Sequence, residues 1–273
     1  MSFMRMAARL ALVQALKGAT YAGDRVYDSL IGPLDRLAID ERVPVIVVVT
    51  DEDRLTIKGR DINHAERKLD IVIETSIASV VRVDGDDFEV TIPNTDDGLE
   101  ITLDLMGRQI ARALASPTSE WAEIFRTIVP RFDGDAICRR GADATTGARF
   151  AARQLALTVD TLNEPPFGPA GTMPIVERFL AAVANTPELA QFEALFRSEI
   201  EAPDLLSWQR EQASIALTLT EFRTLGIAPI FDPTTAPGEV QEAPPVAGMV
   251  VDGLDMDQGI IDDALPPEED DGV

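Results

Sequence analysis

The sequence predicts an α+β fold, in which two helices cover a small twisted mixed or antiparallel sheet. Two segments, Met4–Leu16 and Gly98–Leu114, carry apolar residues at the three- and four-residue spacing of amphipathic helices. Between and after them lie apolar runs and alternating segments that are typical of strands. From residue 172 the helical period alone continues, and an acidic, proline-rich segment follows it. We therefore expect a C-terminal helical addition and a disordered acidic tail.

The first strand signals follow the first helix directly. The helix is expected to stop at Gly18, because glycine readily adopts the left-handed conformation that ends helices. Arg25–Tyr27 is predicted to be a short strand. Pro44 then precedes Val45–Val49, whose unbroken β-branched side chains favour a strand buried on both faces. Asp51–Asp53 is predicted to end that strand at the protein surface.

The middle of the chain contains two further strand signals. Arg54–Lys68 is predicted to be a charged connection. Leu69–Ser76 alternates between two faces, which is the period of a half-buried strand. Val80–Ile92 is predicted to form a hairpin around Asp84 and Gly85, since Asp-Gly suits the positive φ angles of tight hairpin turns.

A short helix and a late strand complete the first predicted domain, residues 1–165. The helix begins at Pro117 and is stopped by Pro130. Residues 133–149, rich in Gly, Asp and Thr, are predicted to be a loop. Ala151–Thr161 alternates again and is predicted to be a strand. Its inward-facing residues are Leu155, Leu157 and Val159.

Two further regions follow the first domain. Residues 172–227 are predicted to form a helical domain or extension of three helices, separated at Pro187 and Pro203. The third of these helices is expected to carry Leu205, Trp208, Ala213, Leu217 and Leu219. Residues 228–273 contain 12 acidic residues and no Lys or Arg. Such a segment buries too little apolar surface to offset the entropy of ordering, so we expect a flexible tail.

Composition disfavours several classes of partner. A net charge of −23 disfavours a protein that holds nucleic acid by neutralising phosphates, and it also disfavours an anionic membrane surface. The apolar runs are shorter than the roughly 18 residues that a membrane helix needs. The single cysteine, Cys138, cannot form an internal disulfide, and no secretory leader pattern is present. We expect synthesis in a reducing cytoplasm.

Carboxylates and one histidine form the sequence clusters that suggest metal binding. Asp61, His64, Glu66 and Asp70 lie close together in sequence, and Asp51–Asp53 is a second acidic cluster. Neither spacing matches a recognised ligand motif. A lone histidine in a charged connection is usually solvated. We therefore predict no metal site.

The sequence also lacks the usual patterns of catalysis. Cys138 and His64 are far apart, no G-x-S-x-G elbow occurs, and neither glycine-rich phosphate-binding motif is present. An enzyme would have to work with carboxylates alone. We predict no enzymatic activity, no catalytic residue and no cofactor.

The segment Ala15–Arg54 carries a resemblance to a known family. A helix closing on Ala-Leu, a threonine, the segment AGDRVY, a proline and the strand PVIVVVTDED follow one another in that order. The matching residues are Ala15, Leu16, Thr20, Ala22, Gly23, Asp24, Arg25, Val26, Tyr27, Pro33, Pro44, Thr50, Asp51 and Glu52. Arg67–Glu74 and Arg153–Asp160 continue the pattern. Over roughly residues 1–165, the chain resembles tail terminator proteins of long-tailed bacteriophages, also called minor tail or head–tail joining proteins.

The resemblance implies a structural virion protein at the head–tail junction. Members of the family form a hexameric ring that caps the finished tail tube, ends tube polymerisation and meets the head. The implied partners are other copies of the chain, the major tail tube protein and a head completion or stopper protein. DNA would pass through the lumen, and no membrane would be involved. Assembly would depend on surface complementarity and not on chemistry.

Three alternatives remain open. The protein could be a different neck protein, an adaptor or stopper below the portal. From another class, it could be a carboxylate-based metal-dependent hydrolase. It could also be a soluble acidic adaptor unrelated to virions. The resemblance does not explain the helical region or the acidic tail, which exceed a compact family member.

Candidate interface residues are charged and aromatic side chains on predicted strands. A protein this acidic must offset repulsion between like subunits, and arginine is favoured at interfaces because its planar head makes several hydrogen bonds. Two interpretations of Arg25 and Tyr27 remain open: an interface pair, or a core tyrosine beside a solvated arginine. The candidates are Arg25, Tyr27, Arg67, Asp70, Glu74 and Arg82.

Overall fold

The computed structural model describes residues 2–29, 44–80, 95–143, 148–169, 173–226, 249–251 and 254–256. Contacts between residues divide the chain into two compact units, Met1–Ala216 and Leu217–Val273. The combination of a mixed sheet and helices in the first unit confirms the predicted α+β class.

The first unit is built on a five-stranded mixed sheet. Its strands are β1 (Val26–Asp28), β2 (Val45–Thr56), β3 (Glu66–Val80), β4 (Arg131–Asp143) and β5 (Ala148–Thr161). They lie in the order β1-β2-β3-β5-β4, so β1 and β4 are the two edges of the sheet. β1 runs parallel to β2, and the other neighbouring pairs are antiparallel.

Two helices cover one face of this sheet, as the sequence predicts. The described helices of the first unit are α1 (Phe3–Leu16), α2 (Asp96–Leu114), α3 (Glu120–Ile128), α4 (Pro174–Ala184), α5 (Glu193–Glu201) and α6 (Ser207–Ser214), with a 3-10 turn at Ala190–Phe192. The two helices that cover the sheet are α1 and α2. α1 packs against α3, β1 and β2, while α2 packs against β3 and β5.

The core lies between these helices and alternate residues of the strands. Leu69, Ile71 and Ile73 of β3 are fully buried, and they stand opposite Val159, Leu157 and Leu155 of β5 in the strand register. Val159 is also buried, whereas Leu155 and Leu157 pack partly buried against the core. α2 contributes Leu99, Leu103, Met106 and Ile110. The predicted alternation of β3 and the apolar stripe of α2 are therefore confirmed.

The ends of α1 follow the predicted chemistry. The Ser2 side chain accepts a hydrogen bond from the backbone nitrogen of Arg5 at 3.1 Å, so it caps the first turn. Gly18 follows the helix with a φ of +68°, a conformation that costs glycine little. Buried alanines, Ala7, Ala8 and Ala11, let α1 lie close to its neighbours.

The C-terminal helical region shares this core. Phe179 of α4 is fully buried and makes edge-to-face contacts with Phe3 at 5.6 Å and Trp121 at 6.0 Å between ring centroids. It also stacks with Phe196 at 6.3 Å. α4 therefore joins α1 and α3 through aromatic packing. Whether residues 1–165 fold without it stays a prediction.

The prediction that the second strand ends at Asp51–Asp53 is wrong. β2 continues to Thr56, and its pairing with β3 shifts register between Thr50 and Asp53. Such a bulge lets a strand accommodate an exposed acidic run without ending. The charged connection is correspondingly shorter than Arg54–Lys68, because β3 begins at Glu66. The predicted burial at the start of β2 is confirmed, since Val45 to Val48 are all buried.

The prediction of a loop at residues 133–149 is also wrong over residues 133–143 and 148–149, while residues 144–147 lie outside the described part of the chain. β4 runs through Asp143, and β5 begins at Ala148. β4 shifts register against β5 between Asp133 and Ile137, and Gly134 in that interval has a φ of +73°. The glycine belongs to a bulge in a strand, not to a loop.

The prediction of a single third helix, from Leu205 to Leu219, is wrong as well. α6 ends at Ser214, and a separate helix, α7 (Leu219–Thr224), begins the second unit. Ala216 between them has a φ of +51°, which no α-helix tolerates. Thr218 then starts α7 with a reciprocal capping box to Glu221.

Several predictions lie outside the described residues: the loop that contains Pro33, the hairpin beyond Val80, and most of the acidic tail. In the described part of that tail, β6 (Met249–Val251) and β7 (Leu254–Met256) form an antiparallel pair.

Among the helices that the structure describes, none has the length and apolar character of a membrane span.

Candidate functional site

The β4 edge of the sheet is an open, exposed feature of the first unit. We use this name for Arg131–Arg140, in which Asp133 is half-buried and the other residues are exposed. Among the described strands, β4 pairs with β5 alone. An edge strand of this length leaves a row of backbone donors and acceptors that another strand or chain can bind.

Apolar side chains and the single cysteine lie on this edge. Phe132 is 52% exposed and Ile137 is 47% exposed. Phe132 stands opposite Val159 and Ile137 opposite Ala156, so the register puts the two side chains on opposite faces of the sheet. Cys138 is exposed next to Ile137. The β4 edge thus offers apolar contact area as well as backbone groups.

No local sequence signal marks β4, which explains why sequence reasoning missed it. Gly134, Asp133 and Asp135 are residue types that strands disfavour. The apolar residues Phe132 and Ile137 are separated by the bulge, so they do not alternate regularly. Only the pairing with β5 identifies the segment as a strand.

The sheet face opposite α1 and α2 is polar around β3, β5 and β4. We call this the polar face; its charged β3 members are Lys68, Asp70 and Glu74, and the buried Val72 lies between the last two. Thr158 donates a hydrogen bond to Asp70 at 2.6 Å, and the amide nitrogen of Gln154 donates to Glu74 at 2.8 Å. The polar face is therefore organised by hydrogen bonds between neighbouring strands.

Ion pairs tie the β4 edge to this face. Lys68 of β3 contacts Asp133 of β4, and Arg131 of β4 donates to Asp160 of β5 at 2.6 Å. The hydrogen bond from Lys68, and then its charge, hold the pKa of Asp133 below its ordinary range. Arg54 of β2 pairs with Asp70 at 3.1 Å. Charges of both signs thus cross the face in pairs.

The structure brings together only some of the predicted interface residues. Asp70 and Glu74 lie on the polar face, as described. Arg25 and Tyr27 lie at the opposite edge, beside or within β1, and both are half-buried. The Nε of Arg25 donates to the backbone oxygen of Pro44 at 3.3 Å. Arg82 lies outside the described residues.

Arg67 is buried and forms its ion pairs within the chain. Its side chain is 7% exposed, its Nε lies 3.2 Å from a carboxylate oxygen of Asp53, and its Nη1 contacts Glu164. Arg67 alternates with Lys68 and so lies on the other face of the sheet from Asp70. Both charge partners of Arg67 thus lie within the chain, and its role as an intersubunit donor stays a prediction.

The Arg67 network fixes the segment that follows β5. Glu164 accepts a hydrogen bond from the backbone nitrogen of Phe3 at 2.8 Å and another from the Ser2 hydroxyl. Its negative charge therefore sits at the positive end of the α1 dipole. Glu164 and Arg67 are distant in sequence, so no local pattern could have predicted this contact.

The residues considered for metal binding are not brought together. His64 contacts Asp61, Glu66 pairs with Lys58, and Asp70 pairs with Arg54. The Lys58 hydrogen bond lowers the pKa of Glu66. Within the described ranges, no group of three His, Cys, Asp or Glu residues could hold a metal ion.

In comparisons with known proteins, neither a protein-family model nor a curated protein matched this sequence.

Proposed function

We propose that this protein is a structural subunit of a bacteriophage virion that assembles into a closed hexameric ring at the neck. The ring caps the finished tail tube, stops its polymerisation and joins the tail to the head. The resemblance of residues 15–54 to tail terminators suggests this role. The observation that carries the proposal is the open β4 edge, at the opposite side of the sheet from β1.

A ring of more than two copies requires two different contact surfaces on each subunit. A ring forms when one surface of a subunit contacts a different surface of the next subunit, and the contact repeats until it closes. In this proposal the β4 edge of one copy contacts the side of the next copy that carries β1, Arg25 and Tyr27. Pairing of two β4 edges with each other would instead give a two-fold dimer.

The charge of the chain suits the proposed lumen. A net charge of −23 makes a ring wall that repels DNA phosphates, so the genome passes without binding. The same charge makes subunits repel one another. Ion pairs inside a subunit, such as Arg54–Asp70 and Arg131–Asp160, leave this net charge unchanged, so contacts between copies have to offset the repulsion.

The partners in this proposal are the major tail tube protein on one side of the ring and a head completion or stopper protein on the other. Contact between complementary surfaces is sufficient for this role, and it requires neither a cofactor nor an enzymatic step. The protein would be synthesised in the host cytoplasm and would act in the virion.

Localisation in particles tests the proposal. Antibody labelling and electron microscopy of virions that contain the chain should place it as a single ring at the head–tail junction. Loss of the protein should give tails of uncontrolled length. Labelling along the whole tube, or tails of normal length without the protein, would contradict the proposal.

A further inference from the structure

A basic cleft lies between the end of α1 and the end of α2. We call it the Arg108 cleft, and it encloses about 810 Å³. Its cationic residues are Lys17, Arg108 and Arg112. Small residues supply much of its remaining surface, among them Gly18, Ala19, Ala111 and Ala115. Such residues leave room for a backbone to approach closely.

Two of the three cations have no carboxylate partner among the residues that the structure describes. Lys17 pairs with Glu188. Arg108 and Arg112 are both exposed, and neither forms an ion pair or side-chain hydrogen bond with any residue that the structure describes. They are four residues apart on α2, so their side chains leave the helix on the same side.

Helix capping does not account for this arginine pair. A cation in the last turn of α2 is favoured by the helix dipole, but Arg108 lies a turn earlier than Arg112. The carbonyl oxygens of Leu114 and Ser116, at the end of α2, already accept hydrogen bonds from Arg126. Arg108 and Arg112 are therefore not needed there.

Several other arginines of the first unit pair with carboxylates. Arg153 contacts Glu100 and Asp104, and Arg178 contacts Glu120 and Glu123. Arg197 contacts three glutamates. In a chain with 47 acidic and 24 basic residues, two neighbouring exposed arginines that form no ion pair or side-chain hydrogen bond among the described residues form a surface suited to an acidic segment.

We propose that the Arg108 cleft binds the acidic segment of residues 262–271 from a second copy of the chain. This segment contains Asp262, Asp263, Glu268, Glu269, Asp270 and Asp271, and no basic residue occurs after Arg223. Pro266 and Pro267 favour an extended backbone, which fits a cleft better than a compact turn. Two arginines suit a few carboxylates, whereas nucleic acid requires a broader basic surface.

The contact would act as a strap between copies, in addition to the sheet edges. It does not require the copies to close into a ring, so it can be tested separately from the proposed function. The full-length chain is used with its six acidic residues of 262–271 changed to the corresponding amides. This variant cannot compete with an added peptide through its own segment.

The probe is a fluorescent synthetic peptide of residues 259–273, and its anisotropy reports binding. We expect saturable binding that weakens as salt rises, because exposed charges are screened. Adding R108E and R112E to the amide variant should weaken its affinity for the peptide at least tenfold. Adding R108Q and R112Q should weaken that affinity less. The matched control, K58E with R60E, makes the same charge change at exposed positions between β2 and β3. Its affinity for the peptide should stay within about twofold of that of the amide variant.

Three results would overturn the proposal. The first is the absence of peptide binding to the amide variant. The second is equal binding by the arginine variants and the control. The third is equally tight binding of an oligoglutamate peptide of the same charge, because the cleft would then take acidic segments without preference for this one. Mass photometry of the same variants reports ring formation independently.

Discussion

Asp133 on the edge strand β4 forms an ion pair with Lys68, which lies two strands away on β3. In the register, Asp133 stands opposite Thr158 and Lys68 stands opposite Asp160, so the pair crosses β5 diagonally. Arg131 and Asp160 form a second pair beside it. Side chains on the polar face therefore hold the β4 edge in addition to its backbone hydrogen bonds.

This pair predicts how the edge responds to acid. The pKa of Asp133 is lowered in the folded protein, so its contribution to stability is present above the unfolded-state pKa and is lost as pH falls through the folded-state pKa. Lys68→Met should raise the pKa of Asp133 toward its ordinary range. Carboxyl-carbon NMR titration measures this, and Glu177, whose pKa is lowered by Arg197, is the internal control. An Asp133 titration that does not change in the variant would show that Lys68 does not act on it.

The buried Arg67 network predicts a large stability effect. Arg67→Met should destabilise the protein by about 3 to 5 kcal/mol, because it leaves Asp53 and Glu164 without their shared cation. Lys68→Met, at the next and exposed position, should cost no more than about 1 kcal/mol. Urea unfolding compares the two. Equal midpoints for both variants would contradict a stabilising role for the network.

Local sequence patterns predicted the elements whose two sides differ in polarity. The alternation of Leu69, Ile71 and Ile73 with polar residues gave β3, and the apolar stripe ending at Leu114 gave α2, because burial on one face leaves a period in the sequence. Asp51–Asp53 and residues 133–149 misled the prediction. Asp51–Asp53 and the described residues 133–143 belong to strands with shifted register, and their composition is that of loops.

Part of the candidate site was predicted from the same alternation of polar and apolar residues. Asp70 and Glu74 are on a strand that the sequence identifies, so their place on the polar face followed from its alternation. The β4 edge could not be predicted from an alternation, since only pairing with β5 makes it a strand. The burial of Arg67 depends on Glu164, which the sequence placed at the end of the first predicted domain. Contacts between residues so far apart leave no local pattern.

The β4 edge predicts the effect of a single charge on assembly. Ile137→Lys should raise the protein concentration needed for half-assembly at least tenfold, because lysine on an edge strand opposes pairing with another chain. Ile62→Lys is the matched control, since Ile62 is 56% exposed and lies between β2 and β3. Sedimentation velocity measures both. Equal loss of assembly in the two variants would point to a general charge effect.

The opposite edge predicts a second assembly defect. Arg25→Glu should block ring formation and tail completion and leave the monomer folded, because it reverses a charge beside β1 in the proposed contact. From the sequence, Arg82→Glu is expected to do the same. Circular dichroism checks the fold and electron microscopy measures tail length, with Lys58→Glu as an exposed control. Tails of normal length with Arg25→Glu would place the contact elsewhere.

Native mass spectrometry of the full-length protein, whose subunit mass is 29.6 kDa, tests the central claim most directly. The account predicts a single closed assembly with the mass of a hexamer, seen as rings in electron micrographs of the same sample. The Ile137→Lys variant should shift that sample to monomer. A wild-type protein that stays monomeric at all concentrations, stops at a two-fold dimer or forms open filaments would contradict the account.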